Sequence, residues 1–188
     1  VGIMEKAVED GLAGTEYADR ILGPQAHLID AGQRNRTLLP NDLFNNVTKY
    51  ITAIMEVKSA MGVIVAAPTA GCGAGSGMAA AGVALMLGGT VAQCLDAASM
   101  ALQNITGLAC DPVANRVEVP CLGKNIMCGF NAVACANMAL AGFDKVIPLD
   151  ETIAAVYDVG LMLPLDLRCT LGGLGKTPAS FAIRKRLS

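Results

Sequence analysis

A long uncharged stretch limits the architectures open to this chain. Residues 59–95 contain no charged side chain, a length that could span a membrane. Pro68 and eight glycines interrupt the stretch, however, and a second uncharged run, residues 125–143, carries Asn131 and Asn137. Amides and glycine interruptions are typical of packed interior helices, so we predict no membrane span.

The composition indicates how such helices pack. Hydrophobic residues make up 53% of the 188 residues, but only 4% are aromatic, there is no Trp, and 21 are Gly. Small side chains allow helices to approach closely, whereas sheet sandwiches favour bulkier residues. We therefore predict a compact, Gly/Ala-rich, all-α fold. The length predicts one domain over residues 1–188.

Charge and cysteine usage narrow the functional classes. The net charge of −2 gives no electrostatic footprint for nucleic acid, and we interpret the basic residues 184–186 as a solvated tail. Seven cysteines are an odd number, and we recognise no secretory signal. We therefore expect reduced thiols in a cytoplasmic protein rather than a disulfide framework.

Local patterns predict the elements. In the first third we expect a helix at residues 4–21, an irregular segment with a short helix at 23–39, and a helix beginning at Asp42. Residues 63–68 have an extended, strand-like pattern. In the remainder we expect a glycine-rich loop at 71–77, helices at 78–87, 90–105 (with a capping box between Thr90 and Gln93), 125–140 and 150–163, and a tail without regular pattern after Gly172.

The glycine-rich run GCGAGSG, residues 71–77, invites comparison with phosphate-binding loops. It lacks the third glycine of the dinucleotide fingerprint, whose position falls on Ser76 or Met78, and the Lys-Ser/Thr ending of a P-loop. We interpret these glycines as permitting tight turning and close backbone packing.

Cys110 and Cys121 lie at the two ends of a loop that contains Pro112 and Pro120. Thiolates are soft ligands for zinc or iron–sulfur clusters, and the prolines would hold the loop ends in fixed positions. The spacing has neither a CxxC motif nor a paired His, so the spacing alone favours ordinary buried cysteines over metal ligands.

Four segments carry a resemblance to a known family. The loop segment LACDPVANRVEVPCLGKN is similar to the signature of the α chain of iron–sulfur-dependent L-serine dehydratases. Three further segments resemble the same chain: MEVKSAMGVIVAAPTAG (55–71), GAGSGMAAAGVALMLGGT (73–90) and LGGLGKTP (171–178).

The resemblance implies an enzyme that dehydrates L-serine to aminoacrylate, which hydrolyses to pyruvate and ammonia. It also implies a [4Fe-4S] cluster held by three thiolates, with one open iron that acts as a Lewis acid on the serine hydroxyl. By motif position, Cys110 and Cys121 match two of the three ligands.

The third ligand is where the sequence departs from the family pattern. In the family it lies in a run C-x-x-E-[C/V]-G before the small-residue helix, and Cys72 falls on the bracketed position instead of on the ligand. The resemblance therefore predicts that a segment is missing at the Gly71/Cys72 junction, and it also implies a missing N-terminal piece. We predict that the third ligand belongs to the missing stretch; the alternative is that Cys72 replaces it.

Other residues at family-like positions are Thr69 and Asn125. Their side chains either bind the substrate, order the loop or cap the backbone. The Ser-Ser-His-Thr motif of the family's other chain is absent here, so the resemblance implies a β-chain partner that supplies the serine carboxylate site. The number of subunits, a higher oligomer included, stays open.

Two rival hypotheses remain. One is a pyridoxal-phosphate lyase that uses Lys124 or Lys176 with the glycine-rich loop, and the other is a non-catalytic pairing module that has lost its cluster. The remaining residues are assigned to structural roles: Cys94, Cys128 and Cys135 to the core, and His27 to a structural or surface position. Cys169 matches no ligand position.

Overall fold

The computed structural model of the chain describes residues 2–18, 20–60, 71–168 and 172–188. Within these ranges the regular elements are helices and no strand occurs, which confirms the all-α prediction. None of the described helices is both long and apolar enough to cross a membrane. The α-helices are α1 (Gly2–Leu12), α2 (Ala26–Arg34), α3 (Asp42–Ala60), α4 (Gly71–Met86), α5 (Val91–Asn104), α6 (Cys121–Leu140), α7 (Leu149–Met162) and α8 (Pro178–Leu187).

The chain divides into two compact units. The first takes in the described residues of Val1–Ile64, together with Pro112–Ile126 and Leu174–Ser188. The second takes in those of Val65–Asp111 and Met127–Gly173. The prediction of a single domain over residues 1–188 stays a prediction.

In the first unit, α3 packs against α1 and α2. It begins where the sequence predicts, because Asn41 Oδ1 accepts a hydrogen bond from Phe44 N (3.0 Å) and so caps the helix. Helices α1 and α3 come very close: a Cβ added at Gly11 would lie 2.6 Å from the Cα of Ala53. Glycine is required at this crossing.

In the second unit, α5 packs against α4 and α7. The predicted capping box at its start is confirmed, since Gln93 N donates to Thr90 Oγ1 and Thr90 N donates to Gln93 Oε1. The core consists of small side chains, as the composition indicates: Ala80, Ala84, Ala97, Met100, Ala101, Ala132, Cys135, Ala136 and Ala139.

The predicted loop at residues 71–77 is wrong, because α4 already begins at Gly71. Added Cβ atoms at Gly73 and Gly77 would lie 3.4 Å from Ile105 Cδ1 and 3.0 Å from Leu102 Cγ. Close packing on α5 therefore outweighs the low intrinsic helix propensity of glycine, which is a weak preference that tertiary contacts override.

Three other boundaries differ from the prediction. Helix α1 ends at Leu12, not near residue 21, because the chain turns at Gly14 with φ +70°. Helix α6 begins at Cys121, four residues earlier than predicted. The tail is not irregular: Thr177 caps α8 by accepting from Ser180 N (3.2 Å). The predicted extended run at residues 63–68 lies outside the described residues.

Candidate functional site

The first end of the cysteine loop lies in the second unit. Cys110 is partly exposed, and its main-chain N donates to Leu167 O at 2.8 Å. Arg168, which follows Leu167, pairs with Cys110 in an isolated parallel bridge. The Arg168 side chain donates hydrogen bonds to the carbonyls of Leu161 and Leu163 at the end of α7. Cys110 is thus fixed by main-chain bonds to a segment that α7 itself holds.

Asp111 brings two of the recognised sequence motifs together. Its side chain is buried and lies against Gly173, where an added Cβ would be 2.7 Å from Asp111 Oδ2. Gly173 also has φ +48°, which L side chains rarely adopt. The CDPV and LGGLGKTP segments, more than fifty residues apart in sequence, therefore meet at this glycine.

The second part of the loop belongs to the first unit and is closed by main-chain hydrogen bonds. Val113 N donates to Val119 O at 2.8 Å, and Arg116 N donates to Val113 O at 2.9 Å. The tight turn places Ala114 and Asn115 at φ 50° and 61°. Ala114 N donates to Ser180 Oγ of α8 at 2.8 Å, so the turn is fixed on both sides.

The Glu118 side chain connects this loop to a distant part of the first unit. Its carboxylate Oε2 accepts from Ile21 N (3.0 Å) and Leu22 N (2.8 Å), and it lies 3.2 Å from Arg20 Nε. Sequence reasoning missed both Glu118 and Arg20. The available signal was a lone charged residue in the otherwise apolar run VEVP, between residues that a folded loop would bury.

The second thiol occupies the start of α6. Cys121 is the first residue of this helix and is partly exposed, after a cis peptide bond between Val119 and Pro120. Asn125 Nδ2 donates to Cys121 O at 2.7 Å. The Asn125 amide nitrogen therefore orders the first turn of the helix, while its proposed contact with substrate stays a prediction.

Of the other predicted site residues, Cys72 is partly exposed in the first turn of α4, whereas Thr69 and Cys169 lie outside the described residues. Cys128 and Cys135 are buried, and burial raises the pKa of the Cys135 thiol. His27 is half-buried on α2, and its Nδ1 makes no hydrogen bond with the described residues.

A three-thiolate cluster needs three cysteine side chains within reach of one another. Across residues 2–18, 20–60, 71–168 and 172–188, no three His, Cys, Asp or Glu side chains come together in a way that could hold a metal ion. The described residues alone therefore do not fit a complete cluster site.

The second unit contains a cavity of about 540 Å³ between α4, α5 and α7. Its lining is almost wholly aliphatic, with Leu102 and Val156 among its residues, and Tyr157 brings the one hydroxyl-bearing side chain to it. A zwitterionic amino acid would lose its hydration there without replacement partners. The cavity does not suit L-serine.

Comparisons with known proteins agree with the motifs. The model of the family "Serine dehydratase alpha chain" matches residues 71–174, which include both Cys110 and Cys121. A probable L-serine dehydratase alpha chain of Bacillus subtilis is 33% identical over 241 residues, which cover 100% of this chain and 80% of that protein.

Two further relatives match over shorter stretches. A probable L-serine dehydratase alpha chain of Latilactobacillus sakei is 44% identical over 129 residues, 66% of this chain and 62% of that protein. The L-serine dehydratase alpha chain of Peptoniphilus asaccharolyticus is 44% identical over 115 residues, 61% of this chain and 39% of that protein. In both, the match spans less than two thirds of the relative's length.

The family match and the full-length match to the Bacillus subtilis protein show that this chain belongs to the serine dehydratase alpha chain family.

Proposed function

We propose that the chain is the α subunit of an L-serine dehydratase in the cytoplasm. Together with a β chain it would convert L-serine to aminoacrylate, which hydrolyses to pyruvate and ammonia. The relatives' names, L-serine dehydratase alpha chain, support both the substrate and the need for a second chain.

One observation carries the proposal. The CDPV…VEVPC loop lies within the matched family region, and both of its cysteines are partly exposed at ends that hydrogen bonds fix. Fixed ends matter because metal ligands and substrate-positioning groups must be held within a fraction of an ångström of their working geometry. A cysteine with only a structural role in the core would not need hydrogen bonds that fix its position.

We propose Cys110 and Cys121 as two of the three thiolate ligands of a [4Fe-4S] cluster. When bound, such a cluster supplies a Lewis acid for the hydroxyl that serine loses. The described residues do not complete this ligand set. The third ligand is proposed to lie in the family segment that this chain lacks at the Gly71/Cys72 junction, with Cys72 as the alternative.

The alignment with the Bacillus subtilis relative supports a missing segment. It extends over 241 residues, although this chain has only 188 and is covered completely. Positions of the relative therefore stand opposite gaps in this chain. A segment that is present in the relative and absent here would explain why the described residues contain no complete set of three ligands.

The β chain is proposed to bind the serine carboxylate. The cavity of the second unit is apolar and does not suit that group, and the family's Ser-Ser-His-Thr motif does not occur in the sequence. Asn125 and Thr69, which occupy family-like positions in the sequence, are proposed as substrate-binding residues of the α subunit itself.

The test is to co-express the chain with a β chain in two forms, as given and with the corresponding segment of the Bacillus subtilis relative inserted between Gly71 and Cys72. Each complex is reconstituted anaerobically with iron and sulfide, and iron content and pyruvate release from L-serine are measured. The complex with the segment should release pyruvate, and Cys110→Ser and Cys121→Ser in that form should each lose iron and activity. Cys94→Ser, a change of the same kind on α5, should keep both. Activity without the segment is expected only if Cys72 is the third ligand.

The outcomes separate the hypotheses. If neither form of the complex, with or without the inserted segment, releases pyruvate, the dehydratase proposal is wrong. If the two serine variants keep their iron and still release pyruvate, the ligand assignment is wrong. Activity without iron, together with an absorption band at about 420 nm, would support the pyridoxal-phosphate alternative instead. Such a band is a general property of the internal aldimine that this cofactor forms with lysine.

A further inference from the structure

A buried charge lies inside the cysteine loop, three residues before Cys121. Glu118 is only 3% exposed, and one carboxylate oxygen, Oε2, faces Ile21 N, Leu22 N and Arg20 Nε at 2.8–3.2 Å. Burying a carboxylate is unfavourable unless donors replace its water. Here the donors come from a segment nearly a hundred residues away in sequence.

The same segment is also hydrogen-bonded to α3. The Arg20 side chain is 10% exposed, and its Nη1 donates to the main-chain O of Glu56. The Glu56 carboxylate in turn accepts from Gln25 N (2.9 Å) and Ala26 N (3.3 Å) at the start of α2. Residues 20–26 therefore lie between α3 and the loop and are bonded to both.

The residues directly after Glu118 are also held by hydrogen bonds, as far as the first turn of α6. Val119 O accepts from Val113 N at 2.8 Å, and Lys124 N donates to Pro120 O at 3.0 Å, which connects the loop to the first turn of α6. Cys121 directly follows Pro120 and is the first residue of α6. Its location thus depends on where Glu118 is held.

We propose that Glu118 and Arg20 are positioning residues that fix the Cys121 thiol at the start of α6. The inference rests on the proposed function in one respect, since it takes Cys121 as a ligand. Neither residue is proposed to touch substrate or cluster; both act through the loop.

The experiment measures how fast Cys121 is alkylated. The full chain, reduced and free of iron, is treated with iodoacetamide, and mass spectrometry of peptides gives a rate for each cysteine. Cys94 on α5, which lies in the second unit and is also partly exposed, is the internal reference. Glu118→Ala should raise the Cys121 rate about tenfold relative to Cys94, because loss of a charged hydrogen-bond acceptor frees the loop.

Two conservative variants separate positioning from general stability. Glu118→Gln keeps the shape and one acceptor but loses the charge, and should give a smaller, still selective, rise. Arg20→Lys keeps the charge and should stay closest to the unaltered chain. Glu5→Ala, which removes an exposed carboxylate of α1 in the same unit, should leave the Cys121 rate unchanged.

The proposal is overturned if the Cys121 rate, relative to Cys94, is the same in Glu118→Ala and Glu118→Gln as in the unaltered chain. It is also overturned if both thiols speed up by one factor, because that result reports general opening. Should Glu118→Ala fail to fold, Glu118→Gln decides by the same criteria.

This readout needs no iron, substrate or β chain, so its failure is distinct from failure of the proposed function. A selective change at Cys121 in a chain that never yields a dehydratase would leave the positioning role intact and reject the enzyme. An active dehydratase whose Cys121 does not respond to Glu118 would do the opposite.

Discussion

The two units bury different chemistry. In the first, the buried polar residues include three charged ones, Lys49, Glu56 and Glu118. In the second, apart from Asp111 in the cysteine loop, the described buried polar residues are the neutral Ser76, Ser99 and Thr152.

Each kind of interior depends on different interactions. The second unit is a close-packed alanine core crossed by neutral hydrogen bonds, such as Ser76 Oγ to Cys128 O at 2.8 Å and Asn131 Nδ2 to Ala101 O at 2.9 Å. In the first unit, buried charged groups interact with one another, and these interactions replace the water that each group lost on burial. The second should therefore be sensitive to side-chain volume, and the first to loss of charge and to pH.

The largest expected effect is at the buried ion pair of the first unit. Arg20→Ala removes the cation beside Glu118 and the bond to Glu56 O, and should lower the free energy of unfolding by about 3 kcal/mol, since removing one partner leaves the other charge buried. Urea unfolding measures it. The control is Arg34→Ala, whose side chain is 73% exposed in its pair with Asp30 and should cost no more than about 0.5 kcal/mol. Equal losses would remove the distinction between buried and exposed charge.

Volume is the corresponding weakness of the second unit. Ala136 on α6 is 0% exposed in the alanine core, so Ala136→Leu should lower the free energy of unfolding by about 2 kcal/mol through overpacking. Ala134 lies on the same helix but is exposed, and Ala134→Leu is the matched control with little expected change. A core that accepted leucine at residue 136 without loss would not be close-packed, and the comparison would fail.

The pH dependence of the first unit should follow from Glu56. Burial raises the pKa of its carboxyl above the usual 4.5, although the Gln25 and Ala26 amides and the charges of Arg20 and His27 oppose this. A raised folded pKa stabilises the fold at pH below the unfolded value, and the contribution disappears as pH rises through the folded pKa.

Glu56→Gln, which cannot ionise, isolates this contribution. As pH rises from about 4 to 7, the unaltered chain should lose stability relative to Glu56→Gln, by about 1.4 kcal/mol for each tenfold increase in the proton affinity of the folded carboxyl. Unfolding midpoints in urea for both chains across this range give the difference. A difference that grows in favour of the unaltered chain with rising pH would mean that the amides and Arg20 outweigh burial.

How far the sequence predicts the fold depends on whether the signal is local. The start of α3 and the Thr90 capping box were predictable because each is a short local pattern with one physical cause, and the small-residue core was predictable from composition alone. The start of α4 at Gly71 was not, since its glycines are helical only through contact with α5. The start of α8 was missed although its local signal, Thr177 before Pro178, was present.

The site divides in the same way. Cys110 and Cys121 could be selected from their motif, but composition and spacing alone left them indistinguishable from core thiols. The contacts that hold the loop join residues far apart in sequence, such as Glu118 with Ile21 and Asp111 with Gly173. No local periodicity encodes a pairing of that kind, so it became visible only in the folded chain.

The smallest expected effect concerns the N-terminal cap of α5 in the second unit. Thr90→Ala removes the hydroxyl that accepts from Gln93 N and should lower the free energy of unfolding by about 1 kcal/mol, the usual cost of losing a helix cap. Thr90→Ser keeps the hydroxyl and should retain most of the stability, so thermal unfolding of the two variants isolates the cap from the lost methyl group. Because the cap is a neutral bond, its contribution should also be the same at pH 5 and pH 7, in contrast to that of Glu56. A cap whose loss cost several times more at one pH than at the other would show that titrating groups stabilise the second unit as well.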